Sequence, residues 1–269
     1  MIYSILRKFS VFALMLALAL PSHAQLKHID LVPGAFDGVS VAGDFVLSVV
    51  EADSCSVSLD VSEEFAEFMT AEIVDSVLVV KLDEKNDLGE IWKKFRGRNA
   101  PSAVFKAVVT APRVLKTLAL GGNAVLDSLG NVADAKAFSL SIKDNASATG
   151  VSLRSSEISL MLSRKAKGEI RIACDTARVT AVGSSDLNLR AEAASLLEID
   201  LGSNSSLVLD GECGRISMVS NGTSKAILNG AAPYVGYRIG GSSSVNALNL
   251  KVKEANIEIS GICSLKQAA

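Results

Sequence analysis

The chain has 269 residues, 49% of them hydrophobic and 21% charged, which excludes intrinsic disorder, collagen and coiled coil and leaves a globular chain. Aromatic residues make up only 5%, so the core is expected to be aliphatic. Lys+Arg at 27 against Asp+Glu at 29 gives a net charge of −2, with no cationic surplus to draw the chain onto nucleic acid or anionic lipid.

Residues 1–24 read as a secretory signal peptide: Arg7 and Lys8 precede an apolar run over 11–20, then Pro21 and Ser22-His23-Ala24. The run is about half of the roughly 20 residues that a membrane-spanning helix needs. Cleavage after Ala24 is expected, with no integral membrane segment thereafter. The exported chain then belongs in the periplasm, on the outer cell surface or outside the cell.

Residues 25–111 are expected to form an N-terminal β-rich cap. The segments Gly38-Val-Ser-Val-Ala42, Phe45-Val-Leu-Ser-Val-Val50, Val57-Ser-Leu-Asp-Val61, Val77-Leu-Val-Val-Lys-Leu82 and Phe105-Lys-Ala-Val-Val-Thr110 alternate or run apolar, as strands do. Residues 63–71 suit one or two helical turns. An interruption at 83–102 carries the only tryptophan, Trp92, and the basic cluster Lys93, Lys94, Arg96 and Arg98. These five are the candidate ligand-binding residues, an aromatic platform with cations for a sugar or peptide. The competing and favoured reading is an amphipathic helical turn whose Trp92 and Phe95, three apart, pack on the cap.

From residue 112 to 269 a phrase recurs, an apolar leader followed by turn formers and a small residue. Its copies are Leu120-Gly-Gly-Asn-Ala124, Ile142-Lys-Asp-Asn-Ala146, Leu162-Ser-Arg-Lys-Ala166, Val182-Gly-Ser-Ser-Asp186, Leu201-Gly-Ser-Asn-Ser205, Val219-Ser-Asn-Gly-Thr223, Ile239-Gly-Gly-Ser-Ser243 and Ile259-Ser-Gly-Ile-Cys263. Two residues before each leader stand Leu118, Leu140, Leu160, Thr180, Ile199, Ser217, Tyr237 and Ile257, the period-2 pattern of a strand with alternate side chains in a core. A repeat of about 20 residues holds two or three short strands and cannot close a core alone, so the copies must stack. The predicted fold is all-β: a right-handed parallel β-helix, a single-stranded solenoid of about 20 residues per coil, continuous with the cap. Asn123, Asn145 and Asn204, third after their leaders, suit corners with left-handed dihedrals.

The four cysteines, Cys55, Cys174, Cys213 and Cys263, lack any C-x-x-C spacing, so structural zinc is not expected. The repeat places Cys174 and Cys213 two coils apart, about 9.6 Å, beyond the roughly 7 Å that a disulfide spans, with Ala194 between them. Free, mostly buried thiols are expected.

Catalytic material is sparse. His23 leaves with the signal, His28 falls at the start of the cap, and Asp144, Asp186, Asp200 and Asp210 stand at different offsets from their leaders. Paired acids for glycoside chemistry are therefore not in register. G-x-S-x-G, H-E-x-x-H and phosphate-loop motifs do not occur. Asp83-x-Lys85-x-Asp87 fails as a calcium loop because Lys85 replaces an oxygen ligand.

Phe36-Asp-Gly-Val-Ser-Val-Ala-Gly-Asp-Phe-Val-Leu, Val77-Leu-Val-Val, Val108-Val-Thr-Ala-Pro112 and the Gly/Ser/Asn corners at Leu201 and Ile239 together resemble the exported bacterial family called putative autotransporter adhesin, head GIN domain, over residues 30–264. The resemblance implies a β-helical protein of the cell envelope or exterior and fixes no ligand or catalytic residue. The reading adopted is a non-enzymatic binding or scaffold module without catalytic, cofactor or metal site, whose partner is a glycan or a cell-surface protein. The alternatives are a polysaccharide-active β-helix enzyme, either lyase or glycoside hydrolase, and a self-assembling homo-oligomer.

Overall fold

The computed structural model describes residues 25–83, 88–98 and 100–268. The signal peptide reading falls on residues 1–24, outside the described residues, as do positions 84–87 and 99 of the interrupting loop.

The N-terminal part consists of β1 (Leu26–Leu31), β2 (Gly38–Gly43), β3 (Val46–Glu51), β4 (Ser56–Ser62), a 3-10 helix (Glu63–Phe68), β5 (Met69–Val74), β6 (Val77–Leu82), α1 (Gly89–Lys94) and β7 (Phe105–Ala111). Eight coils follow, built from β8 (Thr117–Gly122), β9 (Val125–Leu129), β10 (Ala137–Ile142), β11 (Ser147–Arg154), β12 (Glu157–Leu162), β13 (Lys167–Ala181), β14 (Asp186–Leu201), β15 (Ser206–Cys213), β16 (Arg215–Ser220), β17 (Lys225–Ala231), β18 (Tyr234–Ile239), β19 (Ser244–Lys251), β20 (Glu254–Ile259) and β21 (Ser264–Gln267). Each coil gives one strand to each of two parallel stacks. Sheet one runs β6–β2–β8–β10–β12, then through the second halves of β13 and β14 to β16–β18–β20. Sheet two runs β7–β3–β9–β11, then through the first halves of β13 and β14 to β15–β17–β19–β21. The all-β solenoid predicted from the repeat is the fold observed.

The physical driver is the period-2 alternation. Val39, Leu118, Leu140, Leu160, Val179, Ile199, Met218 and Tyr237 form one buried ladder, lying side by side in register along sheet one. Their neighbours in each strand face solvent, which buries about half the side chains in an aliphatic interior.

The register corrects two leaders. Leu162 is paired with Ala181, Ala181 with Leu201, Leu201 with Ser220 and Ser220 with Ile239, so Ala181 and Ser220, rather than Val182 and Val219, are the structural equivalents. Thr180 and Ser217 accordingly give way to Val179 and Met218 in the core ladder. The backbone agrees: the residue two after each corrected leader has positive φ, from Gly43, Gly122, Asp144 and Arg164 through Gly183, Ser203, Gly222, Gly241 and Gly261. The left-handed position is thus the second of the corner, not the third, where Asn123 and Asn145 instead hydrogen-bond to each other at 3.0 Å along the outside. Four residues after the leader a small side chain enters the bend: Ala124, Ala146, Ala166, Ser185, Ser205, Ser224 and Ser243, all buried. Ser224 and Ser243 satisfy their hydroxyls on the carbonyls of Asn221 and Gly240 at 3.0 and 2.8 Å.

The region read as a cap also contains a coil. β2 and β3 lie inside the stacks, with Val41 beside Leu120 and Leu47 beside Leu126, so Val41-Ala-Gly-Asp-Phe45 is a corner phrase of the same kind. It escapes a 20-residue period because the chain leaves after β3, builds β4 to β7 on the far side and only then returns to β8. Two antiparallel additions complete that end: β5 against β6, and β1–β4 against β7. His28, at the start of the cap, is held in β1 opposite Asp60.

The four cysteines are free thiols. Cys174 and Cys213 flank Ala193 in adjoining strands, one position from the expected Ala194. Cys213 alone is buried, the other three being half-buried. Burial pushes the Cys213 thiol up to about 11 and raises that of Cys174.

Candidate functional site

The sequence-derived candidates separate by role. α1 lies over the end of the solenoid, and its Trp92 packs 4.7 Å from Phe65 and 5.8 Å from Phe105, ring centre to ring centre. Phe95 closes on Phe65 at 5.3 Å, and Phe45 meets Phe105 edge-on at 5.5 Å. Phe45, Phe65 and Phe105 are buried, so the half-buried indole is a lid on an aromatic cluster. Lys93, Lys94, Arg96 and Arg98 are exposed, and Lys93 is paired with Glu90 one helical turn back. The structure therefore sets the cations on the surface and the tryptophan beneath them.

Asp144, Asp186, Asp200 and Asp210 are not brought together. Asp144 sits in a corner, accepting from the Gly122 amide at 3.1 Å and pairing with Arg164 at 3.0 Å. Asp200 belongs to sheet one, Asp186 to the first residue of β14 in sheet two, and Asp210 to the outer face of sheet two. Among the described residues no three His, Cys, Asp or Glu side chains are grouped to hold a metal ion.

The outer face of sheet two carries a feature that the leaders had hidden. A depression of 490 Å³ is lined there by Glu169, Arg171, Asn188, Arg190, Asp210 and Asn229, with the half-buried Val208 as its accessible apolar side chain. Arg171, Arg190, Asp210 and Asn229 are consecutive partners across β13, β14, β15 and β17. Each stands nine residues after its corrected leader, Leu162, Ala181, Leu201 or Ser220. Measured from Val182 and Val219 the offsets of Arg190 and Asn229 become eight and ten instead of nine, which scattered the row. The rim is set by a bulge in β11 between Thr149 and Val151, where Gly150 takes φ +71° and an added Cβ would meet nothing within 4 Å. Bulges bend a strand and re-aim its side chains, and this one opens space beside the row.

Electrostatically the row is uneven. Arg171 and Arg190 are direct register partners in adjoining parallel strands, about 4.8 Å apart in backbone. Like charges placed side by side in a sheet repel. Arg190 has Asp210 at 3.8 Å, while Arg171 makes no ion pair among the described residues. On sheet one, two arginines are closely matched across adjoining strands, Arg178 with Glu198 at 2.7 Å and Arg238 with Glu258 at 2.9 Å. The depression thus offers forked cationic donors, a carboxylate and amides in one line, a surface suited to hydrogen-bonding an extended polar chain.

Comparison with solved structures returns the same fold. A putative adhesin from Parabacteroides distasonis is similar over 92% of this chain and 98% of its own, with a TM-score of 0.72 at 12% identity. A putative adhesin from Parabacteroides merdae covers 91% and 97%, with a TM-score of 0.63 at 14% identity. A putative lipid binding protein from Parabacteroides distasonis covers 91% and 97%, with a TM-score of 0.52 at 13% identity. Among curated protein sequences there is no significant match. A family model matches residues 35–206 and 192–266, so with its coils, corners and N-terminal turn the chain belongs to the family described as putative auto-transporter adhesin, head GIN domain.

Proposed function

We propose that the chain is an exported, non-enzymatic binding module of adhesin type at the bacterial envelope, which holds a glycan in the depression on the outer face of sheet two. The observation that carries this reading is the Arg171–Arg190 pair, two like charges side by side at the rim of an open depression. Such a pair costs stability in the free protein and gains from a ligand that supplies carboxylates or hydroxyls to both forks. Asp210 and Asn229 extend the line with acceptors and donors, Asn188 stands beside it in the neighbouring row, and the half-buried Val208 offers apolar contact. Family membership supports an adhesin-like role.

A glycan array probed with the chain, alongside reducing-end and unsaturated-product assays on the same polysaccharides, tests the reading. Saturable binding without product, lost in the Arg171→Ser/Arg190→Ser double variant and kept in Trp92→Phe, is the expected result. Turnover of any polysaccharide would replace the binding module with an enzyme.

A further inference from the structure

The terminal coil leaves its inward side half open. In β20 the residues in register with buried Val235, Tyr237 and Ile239 are Ala255, Ile257 and Ile259, and Ile257 and Ile259 are 46% and 51% exposed. Among the described residues β20 pairs with β18 alone, and no strand follows on its far edge. The corner adds a second, independent sign. Its outward position carries Asp44, Asn123, Asn145, Lys165, Ser184, Asn204, Thr223 and Ser242 in the other coils, but Ile262 in the last, 87% exposed. β20 has no proline, no bulge and no inward charge, the devices that blunt a sheet edge.

We propose that this face is a docking surface for a second copy of the chain, with β20 pairing antiparallel to β20 of the partner about a two-fold axis. Register and charge select the pairing. Centred on Ile257, it sets Ile257 on its own copy and Ala255 on Ile259, both pairs inward, while outward Glu258 meets Asn256 and Glu254 meets Ser260. Centring on Asn256 would instead oppose Glu254 to Glu258, and centring on Glu258 would oppose it to itself, like charges in direct register. Slipping by half a position would turn apolar side chains outward. A two-fold pairing uses the β20 edge of both copies, and at the opposite end α1, β1 and β5 lie over the stack among the described residues, so association stops at two.

The test is sedimentation equilibrium on the chain exported and processed by its host, with hydrogen exchange on the same sample. A dimer that dissociates in Ile257→Lys with an unchanged far-ultraviolet circular dichroism spectrum is expected. Ile262→Ser, an exposed position with no bearing on folding, should weaken dimerisation by about tenfold. A monomer at every concentration overturns the proposal, as does a dimer indifferent to both substitutions. A monomer whose β20 amides are protected from exchange also overturns it, by showing that another part of the chain covers the face.

Discussion

At the N-terminal end of the stack Phe65 and Phe105 are buried beneath Trp92 and Phe95, whereas at the C-terminal end Ile257 and Ile259 stand half in solvent. The coils between are nearly interchangeable, so the difference comes from what the chain adds outside them. A coil in the middle has a neighbour on each side for its backbone and its ladders; a terminal coil lacks one. The N-terminal end makes up the deficit with antiparallel strands and aromatic rings, although aromatics are only 5% of the sequence. The C-terminal end closes itself only in part, by Gln267, which turns inward to accept from the Tyr237 hydroxyl at 2.8 Å and to donate to the Leu250 carbonyl at 3.2 Å.

The sharpest way to break this contrast is to remove equivalent apolar mass at each end. Phe65→Ala deletes a ring that touches three others, and about 3–5 kcal/mol of stability should go with it. Ile257→Ala, half exposed already in the monomer, should cost under about 1 kcal/mol there. Denaturant midpoints read by Trp92 emission, which reports the N-terminal end, and by circular dichroism, which reports the whole stack, separate the two. Equal losses would mean that the cap is not what holds its end closed.

The middle of the stack sharpens the comparison next. An added Cβ at Gly211 would run into the carbonyl oxygen of Ala191 in the coil beside it, so Gly211→Ala should cost about 1–3 kcal/mol. Gly236→Ala, also in a strand but with nothing within 4 Å of the added carbon, should leave stability within about 0.5 kcal/mol of the parent. Thermal melts of the pair check whether close stacking, rather than glycine content, limits substitution.

These tests rest on features that were unequally legible in the sequence. The strands and the 20-residue spacing were readable because alternation and corner residues are local. The leaders at Ala181 and Ser220 were not: chemistry favoured the neighbouring valines, while the bend selects by the left-handed residue two positions on, Gly183 or Gly222. That single-residue slip hid the row of Arg171, Arg190, Asp210 and Asn229, which exists only once the coils are laid in true register. The coil at Val41 was hidden for a different reason, since its neighbour Leu120 is 79 residues away and no local period can express that. Trp92 and Phe95 behaved as three-apart residues of a helical turn do, by packing.

A smaller effect probes the open end through its one buried phenol. Burial pushes Tyr237 up to about 12. Its folded value lies above the ordinary tyrosine value of about 10, so its contribution is whole below that pH and is lost as pH rises through about 12. Phenolate absorbance should show one late-titrating tyrosine that Tyr237→Phe removes. Titration at the ordinary value would mean that Gln267 and β21 do not keep water from the ring.

The smallest effect lies at the other edge. His28 is raised above its usual 6.5, first by the hydrogen bond between Nδ1 and Asp60 at 2.6 Å and then by the charge of Asp30. The protonated ring is the form that the β1–β4 pair favours, so its help is complete below pH 6.5 and fades as pH climbs through the raised value. The ring is exposed, and the gain is local to β1. Ring proton shifts in a nuclear magnetic resonance titration should give a midpoint above 6.5 that drops in Asp60→Asn. Amides of β1 should exchange faster above the midpoint while those of β21, with no such partner, do not respond. If β21 responds as strongly as β1, the two ends are coupled through the stack, and the cap is not the independent closure that its antiparallel strands and aromatic cluster describe.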